Sequence, residues 1–310
     1  MPESVAGCGD RFVRLPNGFR ICYRLDGRPG DPPVLLLGGL GEDLTTWSQP
    51  FVTALASRGF SVIRMDNRDS GRSTFDSAPA PGTLRLLCGR PRADAYTLTD
   101  NAADGAQLLE CLGVDRAHLV GRSMGGMIAQ TLAAQFPART ASLTSIYSTT
   151  GGPGVGGPSL KTMSMLAAAP PRTRLQAVQA HLRLTGHLAG LAYPMDEAAE
   201  TAHAVSTWNR IAGDADAGMR RQMQAIRASG DRTGELRTIT APTLVINGDR
   251  DPLVHPSGGA ATAAAIAGSH HVVIPGMGHH LPDSLTDRIV ELICAHLTPA
   301  SDHPHRRNSR

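Results

Sequence analysis

Lysine is nearly missing from this 310-residue chain: of 30 basic residues only Lys161 is lysine. That bias reflects codon usage in a GC-rich source and carries no chemistry. The basic residues are spread along the chain and the formal net charge is only +3, so the clustered basic face of a nucleic-acid binder is absent. Aromatic residues make up 4% of the chain, which leaves most packing to Leu, Val, Ala and Met. Cys8, Cys22, Cys88, Cys111 and Cys294 are odd in number and scattered, with no CxxC or Cys/His cluster. Neither a disulfide framework nor a metal site is expected from that pattern. No apolar run approaches the roughly 18 residues of a membrane span. The opening Met1-Pro2-Glu3-Ser4-Val5 has no basic region leading into an apolar core, so no signal peptide is expected. A reducing cytoplasm is the expected setting. What remains is a hydrophobic content of 41%, enough for a substantial core. The length suits one large α/β domain carrying an insertion, or two ordinary domains.

Against that background one motif stands out. Gly121-Arg122-Ser123-Met124-Gly125 lies between a short apolar strand at 117–120 and an apolar helix beginning at 126. A serine in G-x-S-x-G at a strand-to-helix turn is the arrangement of a nucleophile elbow. Glycine tolerates the strained dihedrals and close strand-to-helix approach that such a bend imposes. The bend lifts the Ser123 hydroxyl clear of the sheet. It also leaves the Met124 N–H at a helix N-terminus, free to meet a developing oxyanion.

The rest of the chain reads as alternating strands and helices. Residues 12–15 and 19–23 flank Pro16-Asn17-Gly18 and predict an antiparallel hairpin. Val34-Leu35-Leu36-Leu37 is wholly apolar, as a strand buried on both faces should be. A helix is expected over 46–58, and a strand returns at 61–65. Leu98, Ala102, Ala106, Leu109 and Leu112 recur at helical spacing up to Gly113, a natural C-cap. A helix ending at Phe136-Pro137 and a strand at 141–147 follow. The glycine-rich run 151–158 is a connector and not a phosphate loop, since no Gly-Lys-Ser/Thr follows it. Residues 159–233 carry helical patterns and no strand-like run. Strands resume at 243–246 and 271–274, before a last helix over 283–297. Strands and helices on both sides of a helical insertion indicate an open α/β sheet carrying a cap.

A serine hydroxyl needs an adjacent base, and that base needs an orienting acid. Two acids compete after the 243–246 strand, Asp249 and Asp251. Asp251 is favoured because the Gly248 turn precedes it and Pro252 fixes the backbone after it; Asp249 suits a solvent-facing turn. The last strand runs into Gly276-Met277-Gly278-His279-His280. His279, directly after a glycine on a loop able to swing over the sheet edge, is favoured over its neighbour His280. The remaining histidines read as surface or packing residues. For a second oxyanion donor, residues 38–41 (Gly38-Gly39-Leu40-Gly41) offer free backbone N–H groups, with that of Leu40 favoured; a tight turn alone would explain the same glycines. Residues 66–73 read as a hydrogen-bonded turn bracing neighbouring loops.

The elbow, the 66–73 turn, Asp251 and Gly276-Met277-Gly278-His279 together resemble the α/β-hydrolase superfamily. Within it the chain is similar to the aclacinomycin methylesterase family of polyketide-tailoring esterases. Leu112-Gly113-Val114-Asp115-Arg116-Ala117-His118, Ser206-Thr207-Trp208-Asn209-Arg210-Ile211 and residues 274–282 carry that narrower likeness, which spans about residues 10–298. The resemblance implies an α/β-hydrolase fold, a mostly parallel sheet flanked by helices with an inserted helical cap. It divides the chain into a core of 1–151 and 234–298, a cap of 152–233 and a disordered tail of 299–310. It implies a Ser123, Asp251 and His279 triad, an oxyanion hole of the Leu40 and Met124 N–H groups, and no metal or organic cofactor. The activity implied is cleavage of a carboxylic ester, with a methyl ester of a polyketide-type small molecule in view. A lactonase, a carbon–carbon hydrolase, a perhydrolase or a non-hydrolytic member would use the same frame. Hydrolases with an aspartate nucleophile are disfavoured by the serine. The cap's Ala-, Leu- and Met-rich composition, with Trp208 its one tryptophan, suits a medium-sized, largely apolar substrate. Residues 77–94, with their prolines and Arg85, Arg90 and Arg92, depart from the family pattern as a longer loop, and most of the cap departs as well.

Overall fold

Successive side chains of a strand point to opposite faces, so an all-apolar strand calls for a packed layer on each side. The computed structural model, which describes residues 3–4 and 9–297, meets that demand with one sheet between two helical layers. β1 (Glu3–Ser4), β2 (Arg11–Arg14) and β3 (Arg20–Asp26) lead to β4 (Pro33–Leu37), α1 (Gln49–Ser57) and β5 (Ser61–Met65). α2 (Thr83–Leu87) and α3 (Leu98–Cys111) precede β6 (Ala117–Arg122), α4 (Met124–Gln135) and β7 (Thr140–Ile146). The helices α5 (Leu160–Leu166), α6 (Arg174–Ala189), α7 (Glu197–Arg210), α8 (Ala215–Ser229) and α9 (Thr233–Leu236) come next. β8 (Thr243–Gly248), α10 (Ser257–Ala265), β9 (His270–Ile274) and α11 (Thr286–Leu297) complete the described chain. The tail expected over 299–310 lies outside the described residues.

The sheet order is β1-β2-β3-β5-β4-β6-β7-β8-β9. Pairing is antiparallel from β1 through β3 to β5 and parallel from β5 onward. Leu35 and Leu37 of β4 join a core with α3 and α4, through Leu98, Leu108 and Leu132. Their neighbours Val34 and Leu36 join the opposite core with α1 and α11, through Val52, Leu55, Ile289 and Ile293. All four are fully buried, and burial of each such side chain stabilises by about 1.5–3 kcal/mol.

Local signals act where the sequence places them. The Thr97 N–H donates to Asp100 Oδ2 at 2.7 Å, closing the N-terminus of α3. Gly113, at φ +69°, ends the helix as a left-handed cap. One expectation needs refinement. Within the stretch read as a loop at 77–94, Thr83–Leu87 forms a short helix. Its Thr-Leu-Arg-Leu-Leu sequence favours a helical turn, and Gly82 and Gly89 bound it.

The parallel part of the sheet begins at β4; the chain steps outward to β5 and then crosses back to β6 on the other side of β4. Ligands of open α/β sheets sit beyond the strand C-termini at such a reversal. The five helices α5–α9 form the insertion between β7 and β8, with no strand among the described residues.

Candidate active site

At the end of β6, Ser123 adopts φ +54° and ψ −122°, a region that costs a non-glycine residue about 1–3 kcal/mol. Three bonds hold it there: its N–H donates to Ile146 O at 3.0 Å, and its carbonyl accepts from Met127 N at 3.2 Å and Ser148 Oγ at 2.9 Å. The flanking glycines are required by contact. A Cβ on Gly121 would lie 2.1 Å from Gly125 O, and one on Gly125 would lie 2.1 Å from Leu37 O.

Asp251 follows β8 and His279 follows β9, so both stand at the same sheet edge as Ser123. Asp251, 5% exposed, is aimed by its own turn, with Oδ1 accepting the Leu253 and Val254 N–H groups, each at 2.8 Å. Its other oxygen lies 2.6 Å from His279 Nδ1. A carboxylate on that side keeps the proton on Nδ1. The Nε2 lone pair is then turned to the Ser123 hydroxyl, 2.9 Å away. The ring is steadied by Tyr147, whose centroid is 4.4 Å distant, and by the His279 N–H bond to Leu188 O at 2.8 Å. The competing residues are elsewhere. Asp249 Oδ1 accepts the Gly276 N–H at 2.6 Å and ties two loops together. His280 turns toward the insertion, with Nε2 at 3.5 Å from Glu200 Oε1.

The loop after β4 meets the elbow. A Cβ on Gly39 would sit 3.3 Å from Ser123 Cβ. The Gly39 N–H donates to Glu42 Oε2 at 2.6 Å and the Gly41 N–H to Gln222 Oε1 at 2.8 Å. Neither the Leu40 N–H between them nor the Met124 N–H has a hydrogen-bond acceptor among the described residues. The five residues singled out from sequence therefore lie just beyond the C-terminal ends of β4, β6, β8 and β9, with Met124 opening α4.

Residues 32–284 match the family model described as alpha/beta hydrolase fold. The chain belongs to the α/β-hydrolase family. Its relatives include rhodomycin D methylesterases of a Streptomyces species (strain C5) and of Streptomyces peucetius. Each is 30% identical to it, with 89% of this chain and 94% of the relative covered. Among solved structures, the enol-lactonase of Burkholderia xenovorans superimposes with a TM-score of 0.69 at 25% identity, covering 93% of this chain and all of that one.

In this hydrolase the 66–73 turn braces its surroundings, as expected, and it also anchors the helical insertion. Arg210 of α7 reaches Asp66 at 3.1 Å, Asp10 at 3.1 Å and Asp43 at 2.8 Å. Arg221 of α8 grips Asp69 with two bonds, 2.6 and 2.9 Å. Burial opposes ionisation of Asp10, but bonds to Arg24 and Arg210 outweigh it and its pKa falls below the usual value. Asp66, more deeply desolvated, is pushed up despite Arg210. Residues 66–73 and 206–211 each stand out in the sequence, but their pairing has no local signal, because the partners lie on different elements far apart in the chain.

Two of the histidines read as surface or packing residues, His181 and His203, form a cluster with His280. Glu200 of α7 gathers His181, at 2.6 Å, and the neighbouring His280, while the His203 ring packs 5.5 Å from that of His181. Burial lowers the pKa of His280 to about 4, with Glu200 only partly opposing the shift. The folded hydrolase thus holds this imidazole neutral, whereas the unfolded chain protonates near pH 6.5. Stability contributed by the neutral ring is complete above about pH 6.5 and is lost as pH falls toward 4. Urea melts across that window should show wild type losing stability more steeply than His280→Gln, by up to about 1.4 kcal/mol per pH unit. Parallel curves would remove the assignment.

Proposed function

We propose that the chain is a serine hydrolase of carboxylic esters, acting on a methyl ester of a largely apolar, polyketide-type small molecule. In this reading residues 1–151 and 234–298 form the core and 152–233 the cap over the site. Ser123 Oγ attacks the ester carbonyl while His279 Nε2 takes its proton, and Asp251 stabilises the resulting imidazolium. The Leu40 and Met124 N–H groups receive the carbonyl oxygen as it becomes negative. His279 then returns the proton to the departing alcohol, leaving an acyl-Ser123. Water, deprotonated by the same nitrogen, adds to that acyl group and releases the acid and the serine.

The unbroken hydrogen-bonded line from Asp251 through His279 to Ser123 carries this reading. The methylesterase relatives support the substrate class. Met219 of α8 lies against Gly41, which brings an apolar side chain of the insertion to the oxyanion loop. A lactone is the second reading, favoured by the likeness to an enol-lactonase; the same attack would open a ring ester.

The test is a parallel assay of rhodomycin D for methanol release, p-nitrophenyl acetate, a γ-lactone and a β-diketone. Both open-chain esters should turn over at least about 100-fold faster than the other two, a gap of roughly 3 kcal/mol in barrier. Preference for the lactone would move the assignment to the second reading. Cleavage of the diketone alone would remove ester hydrolysis altogether.

A further inference from the structure

A nucleophile elbow needs small residues at its glycine positions but places no demand on the residue just before the serine. Here that residue is Arg122, only 7% exposed. Burying a guanidinium carries a desolvation cost that partners must offset. Arg122 Nη2 donates to Glu42 Oε1 at 2.8 Å and Nη1 to Thr46 O at 3.3 Å. The aromatic faces of Tyr147 and Trp47 lie 5.7 and 6.0 Å away. The second oxygen of the same carboxylate accepts the Gly39 N–H at 2.6 Å. One side chain thus ties the residue before Ser123 to the residue before Leu40.

We propose that Arg122 and Glu42 are positioning residues that hold the oxyanion loop in register with the elbow, an inference that rests on the esterase reading above. Two physical reasons support it. The loop 38–41 contains three glycines, whose backbone freedom would spread the Leu40 N–H over many directions. Fastening Gly39 to Glu42 and Gly41 to Gln222 fixes the peptide on either side of that donor. Catalytic donors must be held within about 0.5 Å of their working positions. The second reason is charge. A lone carboxylate beside a developing oxyanion would oppose it, and the Arg122 guanidinium cancels that field while keeping Glu42 in place as an acceptor.

The charge argument sets an order of effects that simple loss of packing does not. Glu42→Gln removes the negative charge and retains an oxygen for the Gly39 N–H. Arg122→Met leaves the charge uncompensated and the brace unfastened. On p-nitrophenyl acetate, Arg122→Met should lower kcat about 30- to 100-fold with KM changed less than about threefold. Glu42→Gln should lose less than about tenfold. The double variant should recover several-fold over Arg122→Met, since the uncompensated carboxylate is gone. Affinity for a trifluoromethyl ketone, whose serine adduct carries a negative oxygen, should fall in step with kcat/KM across the series.

A kcat within threefold of wild type for Arg122→Met, or a double variant no faster than that single one, overturns the proposal. Should Arg122→Met not fold, Arg122→Lys takes its place, since an ammonium lacks the planar fork whose two nitrogens meet Glu42 and Thr46 O separately. A three- to tenfold fall in kcat is then expected, and an unchanged kcat overturns the brace. Ser123→Ala is assayed beside every variant. If it is inactive while Arg122→Met is not impaired, the brace alone fails. If it retains turnover, the esterase reading fails and takes the brace with it.

Discussion

Ser123→Ala is expected to lower turnover of p-nitrophenyl acetate by on the order of 10⁴- to 10⁶-fold while leaving the fold intact. In serine hydrolases whose triad acts as a unit, loss of the nucleophile alone removes nearly all that the triad contributes. The bonds that hold the elbow come from the Ser123 backbone and from Ser148, not from the Ser123 hydroxyl. Alanine keeps the same Cβ, so the strained dihedral costs no more than before. Melting should therefore shift by less than about 1 kcal/mol, the usual scale for losing one hydrogen bond. A variant that melts like wild type and still hydrolyses the ester at a comparable rate would remove the serine mechanism.

Arg210→Met is expected to have the largest effect on stability. Its guanidinium is the shared partner of Asp10, Asp43 and Asp66, which are 0, 3 and 0% exposed. Methionine fills much of the same volume but offers no donor. Breaking a buried ion pair from one side costs about 3–5 kcal/mol, because the remaining charge stays buried without compensation. Arg24 and Arg72 still reach Asp10, which softens the loss at that acid. Asp66 and Asp43 keep no such arginine among the described ion pairs. Denaturant melts at pH 7.5 should register the full loss. The sign with pH follows from Asp66, whose folded pKa is already raised by burial and should rise further without Arg210. Protonation then relieves the variant, so its deficit should shrink as pH falls from neutrality toward the raised pKa. A deficit below about 1 kcal/mol at pH 7.5, or one that grows on acidification, would contradict this view of the docking.

Much of the site could be read before the structure because its signals are local. Gly121 and Gly125 announce a bend that admits no other side chain, and the apolar runs at 34–37 and 117–120 identify the strands feeding it. Asp251 and His279 each follow a strand with turn residues adjacent, and short-range bonds such as Leu253 N–H to Asp251 Oδ1 fix the aim of the acid, while His279 is steadied by the distant Leu188 O and Tyr147. What escaped the sequence is long-range. Arg210 is separated from Asp66 by 144 positions and from Asp10 by 200, and Arg122 from Glu42 by 80. Nothing in a periodicity or a turn motif distinguishes an arginine that will be buried from one that will face water. The histidines around Glu200 were missed for the same reason, since α6, α7 and the loop after β9 meet only in the folded chain. The short helix at Thr83–Leu87 was obscured by the prolines around it.

The central claim is that one serine is made reactive by the imidazole beside it. A fluorophosphonate probe reports this directly, because only an activated hydroxyl displaces its fluoride, and peptide mass spectrometry locates the adduct. Stoichiometric modification of Ser123, with the rate collapsing in His279→Ala, is the expected result. An unmodified Ser123, or an adduct forming equally fast without the histidine, would contradict it.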